Sequence, residues 1–104
     1  NPEPIFALGS VEEQTGKEEQ ALTHFREALA LDPSYVAAQL GIGRILLSRS
    51  DFPAAEREFR QALRWNGNSA DAHRGLARAL VKQGKADEAE EHRLLAEEIE
   101  RYAK

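Results

Sequence analysis

Residues 36–69 read VAAQLGIGRILLSRSDFPAAEREFRQALRWNGNS, and within this stretch the apolar residues follow helical spacing twice, with a break between. Positions 39, 42, 43 and 46 share one helix face and 55, 59, 62 and 63 share another, because residues three, four and seven apart return to the same side of an α-helix. The break is Ser48-Arg49-Ser50-Asp51. Asp51 suits a helix N-cap, and Pro53 falls in the first turn of the following helix, where a missing N–H costs little. The stretch therefore predicts a helical hairpin.

Shifting the chain by 34 residues in either direction lays the same pattern on itself. Gly9, Gly43 and Ala77 align, as do Leu8, Ile42 and Leu76, then Ala21, Ala55 and Ala89, then Ala28, Ala62 and Ala96. Phe25 aligns with Phe59 and Leu29 with Leu63, while Gly16 and Gly84 stand at the position of Ser50. Small residues recur where large ones would jam two helices together, and large apolar residues recur one turn away. Between the units lie Asp32-Pro33-Ser34 and Asn66-Gly67-Asn68-Ser69, whose residues favour turns and helix starts. The pattern predicts helices over roughly 3–15, 18–31, 35–48, 52–65, 69–83 and 86–102. A single domain over 2–104 is expected, with repeats 2–35, 36–69 and 70–103.

The chain of 104 residues has room for one modest core and no second domain. Good helix formers dominate and strand formers are sparse, which agrees with an all-α class. The absence of cysteine excludes a disulfide framework, a thiolate metal site and a cysteine nucleophile. No apolar run approaches the ~18 residues that span a bilayer, and no signal segment opens the chain. The expectation is a soluble chain, cytoplasmic by default, and Asn1 in place of Met suggests a piece of a larger protein. The net charge of -4 argues against nucleic acid as a partner, since phosphate binding rests on surplus Lys and Arg. The charge is uneven: -5 over 2–35, +2 over 36–69 and -2 over 70–103.

Spacing and residue types together resemble the tetratricopeptide repeat, over residues 2–103. Repeat one matches in Leu8-Gly9, Gly16, Ala21, Phe25, Ala28 and Asp32-Pro33. Repeat two keeps Gly43, Leu46, Ala55, Phe59 and Ala62 but has Ser50 for the usual Gly and Gly67 for the usual Pro. Repeat three keeps Ala77, Leu80, Gly84, Ala89 and Ala96 but has Arg93 where a large apolar residue is expected. The resemblance implies an α-α superhelix of three antiparallel hairpins with a peptide-binding concave surface lined by the first helix of each repeat. The polar residues of the last helix, Arg93 and Glu97 among them, suit a C-terminal cap, with Ala89, Ala96, Ile99 and Ala103 as its inward stripe. Trp65, at a usually apolar position, is assigned to the seam with repeat three.

Opposite the packing positions of the third helix stand Leu40, Arg44 and Leu47; equivalent positions hold Phe6 and Ser10 in the first helix and Arg74, Arg78, Val81 and Lys82 in the fifth. These nine residues are the candidate peptide-binding set. Arginine forks bond carboxylates in bidentate fashion, so the basic wall fits an acidic segment. Each arginine can equally be a solvated surface residue, and Leu40 and Leu47 can equally be packing between repeats. Ala7, Gly41 and Gly75 share one repeat position, and the two glycines either open the groove floor to a ligand backbone or allow tight contact between helices. Repeat domains of this family that clamp acidic chaperone tails use Lys, Asn and Arg at positions that here hold Phe6, Ser10, Gly41, Asp71 and Gly75. None matches, which disfavours that ligand.

No residue pattern supports catalysis, a metal or a cofactor. His24, His73 and His92 are never three or four apart; His24 and His92 are expected at the surface and His73 partly buried. Glu18-Glu19 and Glu90-Glu91 diverge by ~100° on a helix and cannot converge on one substrate atom. No phosphate loop or nucleophile elbow occurs. The expected function is a protein-protein interaction module, not an enzyme, with a peptide or protein partner of acidic character. The alternative is a structural or self-assembly module, a homo-oligomer formed through exposed repeat ends or through the groove.

Overall fold

Six helices follow one another: α1 (Glu3–Gln14), α2 (Glu18–Leu31), α3 (Val36–Ser48), α4 (Phe52–Trp65), α5 (Ala70–Lys82) and α6 (Ala86–Tyr102). The computed structural model describes residues 1–103, and no strand occurs among them. Helix bounds lie within one residue of those the 34-residue pattern predicts. Helices α1 and α2, α3 and α4, and α5 and α6 pair as hairpins. Helix α3 also lies against α1 and α2, and α5 against α3 and α4, so each of these two helices sits in a seat made by the preceding hairpin. The result is a helical-repeat superhelix.

Two devices repeat and explain the hairpin shape. Each first helix ends in a residue with left-handed backbone, φ +82° at Gly16, 60° at Ser50 and +79° at Gly84. There the chain closes a paired bond set: Gly16 N to Glu13 O and Lys17 N to Glu12 O, Ser50 N to Leu47 O and Asp51 N to Leu46 O, Gly84 N to Val81 O and Lys85 N to Leu80 O. These bonds satisfy carbonyls that a helix end leaves without partners. Starts are fixed by side chains at two helices, where Asp51 Oδ1 accepts from Ala54 N and Ser69 Oγ from Ala72 N.

The seams explain the glycines. A Cβ on Gly9 would lie 2.9 Å from the Phe25 ring, and one on Gly41 would lie 2.5 Å from the other side of it. Phe59 is held in the same way, 2.6 Å from a Cβ on Gly43 and 2.3 Å from one on Gly75. Each buried phenylalanine thus lies between a glycine of its own repeat and one of the next. Gly41 and Gly75 serve tight contact between helices, and Gly75 also lines a small hollow between α3 and α5.

The uneven charge becomes ion pairs across the seams. Arg44 and Arg49 of the basic middle repeat bond Glu13, Glu18 and Glu19 of repeat one, while Arg60 reaches Glu88 of repeat three. Lys85 bonds Glu56 in the opposite direction.

Three expectations need correction. Trp65 is not in the seam: it is 53 % exposed, as Leu31 is 56 % exposed one repeat earlier, because both stand in the last turn where the chain leaves for the next repeat. Ala89 and Ala96 are buried and Ile99 half-buried, but Ala103 is exposed, since α6 has 17 residues against 13 in α5 and its end overhangs. His92 is not an ordinary surface residue. Its Nδ1 lies 2.9 Å from Nδ1 of the buried His73, with the rings stacked.

Candidate functional site

Helices α3, α5 and α6 enclose an open cavity of about 940 Å³. Arg44 and Leu47 of α3, Arg74, Ala77, Arg78, Val81 and Lys82 of α5, and Ala86, Ala89, Glu90 and Arg93 of α6 line it. A smaller hollow of about 270 Å³ adjoins it, bounded by Leu40, Arg44, Leu47, Asp71, Arg74 and Arg78, with Phe59 and Gly75 also in its lining. Seven of the nine candidate residues, Leu40, Arg44, Leu47, Arg74, Arg78, Val81 and Lys82, therefore stand around one continuous depression. The seat rule of the fold brings them together, since α3 and α5 run side by side with these positions on the same face.

Phe6 and Ser10 do not line either cavity. Phe6 is half-buried, its ring 5.7 Å from Phe25 and 5.4 Å from Tyr35, so it packs on the core around Phe25. Leu40 and Leu47 are half-buried, pack against the Phe59 core and border the cavities, so the two readings of these residues coexist. Sequence reasoning missed the α6 wall, Ala86, Ala89, Glu90 and Arg93. The signal was present: Arg93 stands 34 residues after Phe59, where each repeat presents its large residue to the next helix.

The four cations differ in what holds them. Arg44 forms a bidentate pair with Glu13, both bonds 2.9 Å, and this hydrogen bonding is the main cause that raises its pKa above the usual guanidinium value. Arg74 is held by Glu100 and Asp71, each at 2.6 Å, which raises its pKa likewise. Arg78 and Lys82, one turn apart on α5 and exposed, have no carboxylate at ion-pair distance among the described residues. A ligand carboxylate meets these two without displacing an existing partner. The apolar neighbours Leu47, Ala77 and Val81 give the same wall a surface for non-polar side chains.

The positions used by chaperone-tail clamps offer little to a ligand. Gly41 is buried against a phenylalanine ring, Gly75 reaches the small hollow without a side chain, and Asp71 is acidic. Among the described residues no three His, Asp or Glu side chains converge as a metal site, and no helix is long and apolar enough to cross a membrane.

Two models of the tetratricopeptide repeat match the chain, over residues 6–64 and 46–92. Human tetratricopeptide repeat protein 7B is 29 % identical over 96 residues, which is 92 % of this chain and 11 % of that protein; the chain spans about a tenth of this relative's length. Among solved structures, the second repeat domain of Spaghetti (RPAP3) bound to the HSP90 peptide SRMEEVD superposes with a TM-score of 0.90 at 19 % identity, covering 94 % of this chain and 91 % of that one. The Yersinia enterocolitica type III secretion chaperone SycD in complex with a peptide of the translocator YopD superposes with a TM-score of 0.87 at 24 % identity, covering 93 % and 74 %. At such identities the superpositions speak for the fold alone. The matched residues, the six helices and the glycine–phenylalanine seams agree: the chain belongs to the tetratricopeptide repeat family.

Proposed function

We propose that the chain is a protein-interaction module that holds an acidic peptide segment in the depression between α3, α5 and α6. The observation that carries this reading is the pair Arg78 and Lys82, two exposed cations without carboxylate partners among the described residues, over an apolar wall of Leu47, Ala77 and Val81. An arginine fork and an ammonium one turn apart complement two carboxylates on a ligand, while the apolar wall takes the side chains between them. Arg44 and Arg74, already paired with Glu13, Asp71 and Glu100, set the electrostatic surroundings and orient the wall. Spaghetti (RPAP3) and SycD hold peptides on the same architecture, which supports a peptide as the kind of ligand.

A peptide-array screen tests the reading, run with the parent chain and with Arg78→Ala/Lys82→Ala and Arg44→Ala/Arg74→Ala variants. Acidic sequences are expected to be retained by the parent and weakened by salt. Removing Arg78 and Lys82 is expected to weaken them about tenfold or more, as loss of charge-assisted hydrogen bonds worth ~1.5 kcal/mol or more implies. Removing Arg44 and Arg74 should cost less. Equal retention by all three chains, or a preference for neutral or basic peptides, overturns the proposal.

A further inference from the structure

His73 stands in the first turn of α5 and His92 in the middle of α6, at the positions that Gln39 and Glu58 hold in repeat two. Gln39 and Glu58 are joined by a hydrogen bond from the amide to the carboxylate, a polar link between two helices. In repeat three the same place holds two imidazoles. Their Nδ1 atoms face each other at 2.9 Å and the rings stack. Neither ring lines the cavities between α3, α5 and α6, so the pair stands apart from the peptide site. Glu58, at the place of His92 but in the middle of the stack, is half-buried as His92 is, so access to this place is a property of the repeat.

The surroundings prepare both rings as ligands. His73 Nε2 donates to Gly67 O at 2.9 Å, which leaves a lone pair on its Nδ1. His92 fills the gap with a hydrogen on Nδ1, and its Nε2 then turns a second lone pair toward Glu88 Oε2, 3.9 Å away. Moving that hydrogen to Nε2 points it at the Glu88 carboxylate and leaves two Nδ1 lone pairs face to face, which a cation between them satisfies. Ligating histidines as a rule donate their other ring N–H to a carbonyl or a carboxylate, and here both acceptors are in place. Burial, then His73 and Arg60, lowers the pKa of His92 and keeps the ring neutral at neutral pH, the form that binds a metal. The separation also selects the ion. With metal–nitrogen bonds of ~2.0–2.1 Å, donors 2.9 Å apart subtend about 90° at the metal, whereas a tetrahedral centre needs about 3.3 Å between them. Such an angle between nitrogen donors suits tetragonal copper(II) or nickel(II), and copper(II) is the ion these donors hold most firmly.

We propose that His73 and His92 form a two-histidine site for a tetragonal divalent cation, copper(II) foremost, which clips α5 to α6 through their Nδ1 atoms. The ion stands off the line between the nitrogens, each ring turning its lone pair toward it, and the hydrogen of His92 passes to Nε2 on the side of Glu88. The His92 side chain is 16 % exposed, so water completes the coordination. Arg60, the cation nearest the site, is itself held by Glu56 and Glu88, which offsets its charge.

Copper(II) titration of the full chain, followed by electron paramagnetic resonance and by the denaturant midpoint, tests it, with zinc(II) as a second ion. The parent is expected to take up one equivalent of copper(II) and to show hyperfine coupling from two imidazole nitrogens. Its midpoint should rise as the ion is added, since an ion held by the folded state alone stabilises that state. His73→Gln/His92→Glu copies the Gln39–Glu58 pair and so keeps a link between the two helices while removing both ligands. This chain should lose the two-nitrogen signal and the rise in midpoint. Glu88→Gln is expected to weaken copper(II) about tenfold with both nitrogens still in the spectrum. His24→Gln, outside the pair, should change neither readout, and zinc(II) should be held more weakly than copper(II). No saturable binding, coupling from a single nitrogen, tighter binding of zinc(II), or equal binding by the parent and the His73→Gln/His92→Glu chain overturns the proposal.

Discussion

Phe25 and Phe59 each fill a slot that two glycines leave open, and the slot has no slack. Replacing Gly75 by alanine adds a methyl 2.3 Å from the buried Phe59 ring, which Gly43 also approaches closely, its own Cβ position lying 2.6 Å from the ring. Alanine gains ~1 kcal/mol of helix propensity, but overpacking of this kind costs ~1–3 kcal/mol. Gly75→Ala is therefore expected to destabilise the fold by about 1 kcal/mol in chemical denaturation, against the propensity trend. His73 and His92 form a second residue-scale device. His73 Nε2 donates to Gly67 O at 2.9 Å, so its Nδ1 accepts the hydrogen of His92 Nδ1. Both rings cannot be cationic, since each Nδ1 would then carry a hydrogen toward the other.

Burial, then the neighbouring His73 and Arg60, lowers the pKa of His92, against the opposing pull of Glu88 and Glu91. A histidine whose folded pKa lies below its unfolded value of about 6.5 binds more protons when unfolded, so stability falls as pH drops below that value. The carboxylates Glu56 and Glu88, lowered by their partners, lose their contribution only below about 4.3. Denaturant midpoints should therefore decline between about pH 7 and 5, and His92→Gln should flatten that part of the profile. An unchanged slope in the variant would remove His92 from the cause. The pair was not legible from spacing along one helix, because its members stand 19 residues apart on two helices. A cue existed one repeat earlier, where Gln39 bonds Glu58 at the equivalent positions. Trp65 misled for a related reason: apolar character in the last turn of α4 says nothing of whether another helix reaches it.

At the scale of the helix pair, the period alone carries most of the fold. Helix ends were legible because Gly16, Ser50 and Gly84 recur at the left-handed position, and Asp51 and Ser69 are cap residues. Which cations are already occupied was not legible, because Arg44 finds Glu13 across a seam 31 residues away and Arg74 finds Glu100 on α6. No hairpin buries its apolar face alone. Phe59 reaches 2 % exposure only because α5 covers it, and Leu76 and Leu80 are buried by the same closure. Removing residues 70–104 is expected to abolish cooperative thermal unfolding followed by circular dichroism. A sharp melt in the shortened chain would mean that two repeats suffice.

Across the whole molecule, charge and shape point the same way. Most arginines of the middle repeat are spent on ion pairs that tie it to its acidic neighbours, while Arg78 and Lys82 of repeat three line the cavity without an ion pair among the described residues. Such surface pairs contribute little stability one by one, and their larger effect is to decide where free positive charge remains. The central claim is that ligand meets α3 and α5 on their inner faces. Backbone amide chemical shifts, followed by NMR while an acidic peptide is titrated into the chain, test it most directly. The expected result is a set of shifted amides around Arg44, Arg74, Arg78 and Lys82, reduced when Arg78 and Lys82 are replaced by alanine. Shifts centred instead on the outer faces of α2 and α4, or none at saturating peptide, would contradict the account.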